Sequence, residues 1–258
     1  MELTLYQVDA FAERSFEGNP AAVIPLESWI QDEMMQAIAL ENNLSETAFF
    51  VPDGKAYQIR WFTPLNEVDL CGHATLASAY VLFDELGYKG SQIEFQSRSG
   101  LLRVQKKDDW FQLDFPAQPA RPCEIPDQIL RSFGNALECL VSEDYLVVLP
   151  DEISVKKAVP NFLDLSSMDM RGIAITAPAE RYDFVSRFFA PNEGINEDPV
   201  TGSSFTQLIP YWSKRLGKER MIAKQVSARG GIVLCEMAED RVLISGKAVL
   251  YMQGIIHI

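Results

Sequence analysis

Two stretches of this chain follow one plan. Arg60-Trp61-Phe62-Thr63-Pro64 leads past Glu67 into Val68-Asp69-Leu70-Cys71-Gly72-His73. Arg187-Phe188-Phe189-Ala190-Pro191 leads past Glu193 and Glu197 into Asp198-Pro199-Val200-Thr201-Gly202-Ser203. A largely apolar segment follows each and closes on a glycine 15 residues later, Gly72 to Gly87 and Gly202 to Gly217. The lead-ins differ in length, Phe62 to Gly72 being 10 residues and Phe189 to Gly202 being 13, so the second copy carries three extra. A unit used twice constrains the fold more than any single motif, because each copy must bury the same kind of helix in the same kind of shell.

The segment from about Ala74 to Leu86 is apolar on nearly every face, which predicts a helix surrounded by protein and stopped at Gly87. Its counterpart carries Phe205, Leu208, Ile209, Trp212 and Leu216 and stops at Gly217. Pro210 is expected to kink or shorten that helix. A further helix is expected from Ser28, with Gln31 as a capping-box partner and Ile30, Met34 and Ile38 as its apolar stripe, ending at Asn42-Asn43. Most of the remainder reads as strands: 3–9, 21–26, 44–51, 58–62, 92–96, 101–106, 110–115, 145–149, 171–176, 221–227, 231–237 and 241–250. The expected class is α+β, two pseudo-repeated halves, each a mixed sheet or barrel wrapped around a central helix. Prolines at 116, 119, 122 and 126 mark the join. The halves are 1–116 and 117–249, and the last strand, about 250–258, is a candidate to complete the first.

The formal net charge of −13 disfavours nucleic-acid phosphates and anionic lipid surfaces as partners, and a small anionic substrate stays open because local potential can oppose net charge. The four cysteines, at 71, 123, 139 and 235, show no CxxC spacing, so no structural metal site is expected and they read as reduced thiols. No secretory signal and no membrane-spanning run is read, and the expected location is cytoplasmic.

His73 and Ser203 occupy equivalent places at the two helix starts, each behind a glycine (Gly72, Gly202). A helix start offers free N–H groups and partial positive charge, and two of them converging on one cleft suit a carboxylate. The plainer reading of both residues is a helix cap. Asp198 is held extended by Pro199 and precedes Gly202 by four residues, and it reads equally as a turn aspartate. Glu46 shares a strand face with Leu44, Ala48 and Phe50. A carboxylate there is costly unless paired, which suits a general base, although an edge-strand glutamate reaching solvent fits as well. Cys71 is either a thiol beside His73 or a buried small residue. GxSxG, P-loop and HExxH patterns are absent.

These segments resemble the PhzF-like family of phenazine-biosynthesis isomerases. The matching pieces are Val8-Asp9-Ala10-Phe11, Gly18-Asn19-Pro20-Ala21-Ala22-Val23, Leu44-Ser45-Glu46-Thr47-Ala48-Phe49, Trp61-Phe62-Thr63-Pro64, Cys71-Gly72-His73-Ala74-Thr75 and Glu197-Asp198-Pro199-Val200-Thr201-Gly202-Ser203. The resemblance implies a diaminopimelate epimerase-like fold with a site between the halves, and Glu46 as the proton-transferring base. It further implies that His73, Asp198 and Ser203 position substrate or relay protons. Substrate contacts are expected at Asn19, Gly72, Ala74, Gly202, Ser204 and Gly230. No cofactor, a small carboxylate substrate and a homodimer are the corresponding expectations. The chain departs from the family at Ser204-Phe205, where Ala-His is common, and at the turn Ala228-Arg229-Gly230-Gly231, so the founding substrate is not carried over. Two other readings stand beside this one. A two-thiol epimerase needs a cysteine at each helix start, and Thr201 stands opposite Cys71. A non-catalytic small-molecule binder has less use for Glu46.

Overall fold

The structure is a computed structural model that describes residues 1–258. The chain divides into two compact units, Met1–Asp114 with Ser245–Ile258, and Phe115–Ile244.

The first unit contains β1 (Glu2–Ala10), β2 (Asn19–Pro25), α1 (Asp32–Asn42), β3 (Glu46–Asp53), β4 (Ala56–Phe62), β5 (Glu67–Val68), α2 (Gly72–Tyr80), β6 (Gln92–Ser97), β7 (Gly100–Lys107) and β8 (Trp110–Pro116). The chain returns to it with its last strand, β18 (Ala248–His257), which pairs antiparallel with β1 from Glu2↔His257 to Ala10↔Ala248. The strand order is β18-β1-β2-β3-β4-β6-β7-β8; β2–β3 and β4–β6 are parallel and the other joins antiparallel.

The second unit contains β9 (Arg121–Pro122), α3 (Asp127–Ser132), β10 (Glu138–Val141), β11 (Tyr145–Val148), α4 (Glu152–Lys157), α5 (Phe162–Leu165), β12 (Ile173–Pro178), β13 (Phe184–Ala190), β14 (Ile195–Asp198), α6 (Phe205–Leu216), β15 (Arg220–Gln225), β16 (Gly231–Ala238) and β17 (Arg241–Gly246). Its order β9-β10-β11-β12-β13-β15-β16 repeats the first unit's pattern, parallel joins included, at β11–β12 and β13–β15. The fold is α+β, and the duplication visible in the lead-ins extends through the sheets.

Each helix start is held by the same device. Arg60 on β4 forks onto Glu67 of β5 with both nitrogen–oxygen distances 2.7 Å, and Arg187 on β13 forks onto Glu197 of β14 at 2.6 and 2.9 Å. Both guanidiniums also lie over the phenylalanine two positions on, Phe62 and Phe189. A bidentate pair of this kind fixes direction as well as distance, so the short return strand is aimed at the helix behind it. The three extra residues are absorbed by a 3₁₀ turn at Pro191–Glu193 and Gly194, whose φ of 78° is a left-handed conformation suited to glycine.

The central helices are buried as their composition demands. Every residue of α2 from Gly72 to Ala79 is buried, and the helix packs against β1, β2, β3, β7 and β18. Its last turn widens to a π-helical turn at Val81–Glu85 before Gly87 at φ 69°. The core of α6 is Phe205, Leu208, Ile209 and Trp212, and Trp212 stacks on Phe184 with ring centroids 5.4 Å apart. Pro210 lies inside α6 without shortening it, the helix running on to Leu216. The carbonyl its ring leaves without a helical donor, Thr206 O, accepts from Gln118 N at 2.9 Å.

Two local expectations are corrected. The first helix starts at Asp32, not Ser28, with Gln31 at the N-cap making no side-chain bond. Met34 N and Met35 N take the Gln31 carbonyl, and Asp32 and Glu33 lie where the helix dipole favours acids. Its buried stripe is Met35, Ile38 and Ala39, while Met34 reaches the surface. Leu44 lies before β3 and joins the cluster of Phe49 and Val51, the face opposite Ala48 and Phe50. β3 is buried on both faces, so Glu46 marks the strand's end rather than one polar position on one apolar face.

Candidate functional site

Glu46 is the first residue of β3 and His73 the second of α2. The β2–β3 register puts Glu46 beside Ala21, two residues on from Asn19. These three elements bring Glu46 Oε2 within 3.0 Å of His73 Nε2, with the side chains 13% and 6% exposed. The two atoms are close but not aligned for a hydrogen bond, and neither has another hydrogen-bond partner. Buried polar atoms left in this way are uncommon, and a ligand group would satisfy both.

The other edge of the ring is occupied. Asn19 Nδ2 lies 3.2 Å from His73 Nδ1, Ser45 Oγ donates to Asn19 Oδ1 at 3.4 Å, and Cys71 Sγ is 3.6 Å from the same Nδ1. With the Asn19 amide nitrogen toward Nδ1, the neutral ring carries its proton on Nε2, facing Glu46; the imidazolium donates from both nitrogens, and the amide turns its oxygen inward. Burial works against the imidazolium, but the neighbouring Cys71 and Glu46 outweigh it, so the pKa of His73 lies well above 6.5. Burial, reinforced by the Glu46 charge, pushes the Cys71 thiol up to about 11. Cys71 is therefore a thiol at neutral pH, and the charge that holds the imidazolium is that of Glu46.

Glu46, Cys71 and His73 offer donor atoms within 4.8 Å of one another, a set that would suit a borderline cation such as zinc. Glu46 faces Nε2 whereas Cys71 faces Nδ1, so one ring nitrogen does not serve both, and the arrangement fits a proton relay better than a coordination shell.

In the second unit, Ser203 lies in a 3₁₀ turn, Gly202–Ser204, that leads into α6. Neither Ser203 nor Ser204 caps the helix: the N-cap positions make no side-chain bonds, and the Ser204 hydroxyl donates to Thr201 O at 2.8 Å. Ser203 Oγ instead accepts from Arg171 Nη1 at 3.0 Å. Arg171 is forked onto Asp144, Nε to Oδ1 at 2.9 Å and Nη2 to Oδ2 at 2.5 Å, and Gln207 Nε2 donates to the same carboxylate at 3.1 Å. Asp144 is fully buried. Burial raises its carboxyl above the ordinary aspartate value against the pull of Arg171. Asp198 is held in a separate set of bonds, accepting from Thr201 Oγ1 at 2.5 Å, while Gln225 Nε2 donates to its carbonyl at 2.8 Å.

Of the residues singled out in the sequence, Glu46, His73, Asn19, Gly72 and Ala74 fall together in the first unit, and Asp198, Gly202, Ser203, Ser204 and Gly230 lie in the second. Gly230 has φ 66°, and its N–H is taken by Ser227 Oγ at 3.0 Å, so it ties a turn. Sequence reasoning missed Arg171, Asp144 and Gln225. The available signal for Arg171 was an arginine placed at the start of an otherwise apolar strand.

The model of the PhzC-PhzF family, described as phenazine biosynthesis-like protein, matches residues 8–254. An uncharacterised isomerase of Pseudomonas aeruginosa is 53% identical over 259 residues, covering 100% of both chains. The crystal structure of a PhzF-family phenazine biosynthesis protein from Enterococcus faecalis superposes with a TM-score of 0.98 at 47% identity, again covering 100% of each chain. A structure from Pseudomonas aeruginosa described as a predicted epimerase shares the fold, with a TM-score of 0.75 at 21% identity over 98% of this chain and 99% of that one. Kinship over the whole length with relatives named isomerases makes this chain an enzyme of the isomerase class. The chain belongs to the PhzC-PhzF, phenazine biosynthesis-like family.

Proposed function

We propose that this isomerase moves a proton between two positions of a small carboxylate-bearing substrate, with Glu46 as the base and no cofactor. The observation that carries the reading is the buried pair Glu46 Oε2 and His73 Nε2, 3.0 Å apart and without other hydrogen-bond partners. Glu46 takes a proton from an acidified carbon, the C–H electron pair passes into the adjoining conjugated system, and the Glu46 carboxyl, which exchanges its proton with solvent between the two transfers, delivers a proton to another carbon. Atoms and electrons balance within one molecule. As Glu46 is neutralised, negative charge appears on the substrate, and the imidazolium of His73 remains beside it. A fixed charge at that place stabilises the transition state more than the ground state. Asp198 and Ser203 are assigned substrate-positioning roles, and a homodimer is the proposed assembly, open to light scattering.

The test is carbon-bound deuterium uptake. A panel of β,γ-unsaturated carboxylates is incubated in D₂O with the wild-type protein and followed by proton NMR. Enzyme-dependent loss of a C–H signal is expected, and Glu46→Gln is expected to lower its rate by about 10²–10⁴-fold while the same compound still binds. Full exchange by Glu46→Gln would remove Glu46 as the base. Binding with no exchange by the wild type would make the protein a binder.

A further inference from the structure

Superposing the registers of the two units shows what stands in the second where the first has its base. Phe62 and Phe189 are equivalent by the repeated lead-in. Phe62 pairs with Thr47 and Phe189 with Ile173. Glu46 therefore corresponds to Gly172, and Ser45 to Arg171. A side chain at Gly172 has no room, since a Cβ there would lie 2.2 Å from Phe188 Cζ. The second unit thus has no carboxylate at the position equivalent to Glu46; the charged residue at this strand end is the arginine one residue earlier, and the carboxylates near it are its partners Asp144 and Glu143.

Arg171 is unusually well fixed for a side chain that is 31% exposed. Two of its three nitrogens are spent on the buried Asp144, which Gln207 also holds, and its carbon lies 5.5 Å from the Phe188 ring centroid. The third nitrogen donates to Ser203 Oγ at 3.0 Å. A serine hydroxyl has one proton and two acceptor lone pairs. With one lone pair facing Nη1, the Ser203 proton points away from Arg171, and the oxygen becomes a better donor because it is polarised by a cation.

We infer that Arg171, clamped by Asp144, is a positioning residue that presents the Ser203 hydroxyl as a donor to an anionic group of the substrate, giving the enzyme its selectivity for a carboxylate. This rests on the carboxylate-substrate reading above and assigns the group that recognises it. The chemistry it fits is a planar monoanionic head, preferred over the neutral amide of the same shape, whose carbonyl oxygen still accepts from Ser203. The amide brings no charge to the guanidinium, and its NH₂ group cannot accept from Ser203.

The experiment measures binding of two probes, acetate and benzoate, each against its amide, by ¹H–¹⁵N NMR titration of the full chain. Wild type is expected to prefer each carboxylate over its amide by at least about tenfold, from charge-assisted hydrogen bonding. Arg171→Met is expected to abolish that preference while leaving amide binding within about twofold, and Arg171→Lys, which keeps the charge but loses the fork, to restore part of it. In a Ser203→Ala background, Arg171→Met should change carboxylate binding far less than in wild type, which a purely structural role would not produce. If Arg171→Met fails to fold because Asp144 is left buried and unpaired, the double variant Asp144→Leu/Arg171→Met removes both ions together and carries the same expectation. An unchanged carboxylate preference in a folded Arg171 variant overturns this inference alone. Wild-type protein that binds neither carboxylate, or binds acid and amide equally, overturns the carboxylate reading on which it rests.

Discussion

The starts of α2 and α6 are built on one plan and carry opposite chemistry. In each, an arginine forked onto a glutamate aims a short strand at a helix, and the second residue after the N-cap meets the start of the neighbouring strand. In the first unit that residue is His73 and the strand end offers Glu46. In the second it is Ser203 and the strand end offers Arg171. Val68 and Asp198 are likewise equivalent, since Trp61 pairs with Val68 and Phe188 with Asp198. A duplicated scaffold has thus kept its backbone devices and diverged in charge, with a buried carboxylate–imidazole pair on one copy and a serine hydroxyl bonded to an arginine on the other. Symmetric two-thiol chemistry is not supported, because Cys71 corresponds to Thr201, whose hydroxyl is bonded to Asp198.

The comparison breaks most directly at the two strand ends. Glu46→Gln should cost about 10²–10⁴-fold in deuterium exchange, and placing glutamate at Gly172 in that variant should not restore it. Restored exchange would show that the two corners are interchangeable. Next in size is the Asp144–Arg171 pair: Asp144→Leu should lower stability by about 3 kcal/mol, the low end for breaking a buried ion pair because Arg171 keeps some solvent, and urea unfolding midpoints would read it. Gly172→Ala should cost about 1–3 kcal/mol by driving a methyl into the Phe188 ring, whereas Glu46→Ala removes atoms and meets no such clash. Equal stability of Gly172→Ala and wild type would mean that the ring swings aside.

Two smaller effects sharpen the first corner. The His73 pKa is raised above 6.5 in the folded protein, so its contribution to stability is complete below that value and fades as pH rises through the folded pKa. The gap in unfolding midpoint between wild type and His73→Gln should therefore narrow as pH rises above neutrality, and a gap independent of pH would rule out the imidazolium. The Cys71 thiol, buried and raised to about 11, should stay unalkylated by iodoacetamide near neutral pH while the half-buried Cys123 reacts, as peptide mapping by mass spectrometry would show.

Much of the site was legible because its residues break local rules at positions the repeat marks. Gly72-His73 and Gly202-Ser203 stand at the same offset behind matching lead-ins, and Glu46 stands out as a charge leading a buried strand. Arg171 and Asp144 were not legible in this way. An arginine and an aspartate 27 residues apart at the ends of two strands look like ordinary strand-end charges until the parallel join of β11 to β12 sets them side by side. The start of α1 was misplaced for a related reason: Ser28 is a good cap by propensity, yet Trp29 behind it is held by Gln58 at 3.0 Å, a tertiary contact that keeps the segment out of the helix.

Periodicity, the repeated lead-in and the paired glycines determined the duplicated α+β architecture and its two buried helices, because burial patterns and left-handed stops are local properties of residue order. Only the tertiary structure decided which charge faces which helix start. That choice depends on sheet register, where a shift of one residue exchanges Glu46 for Ser45, or Gly172 for Arg171, and no local preference in the chain records it.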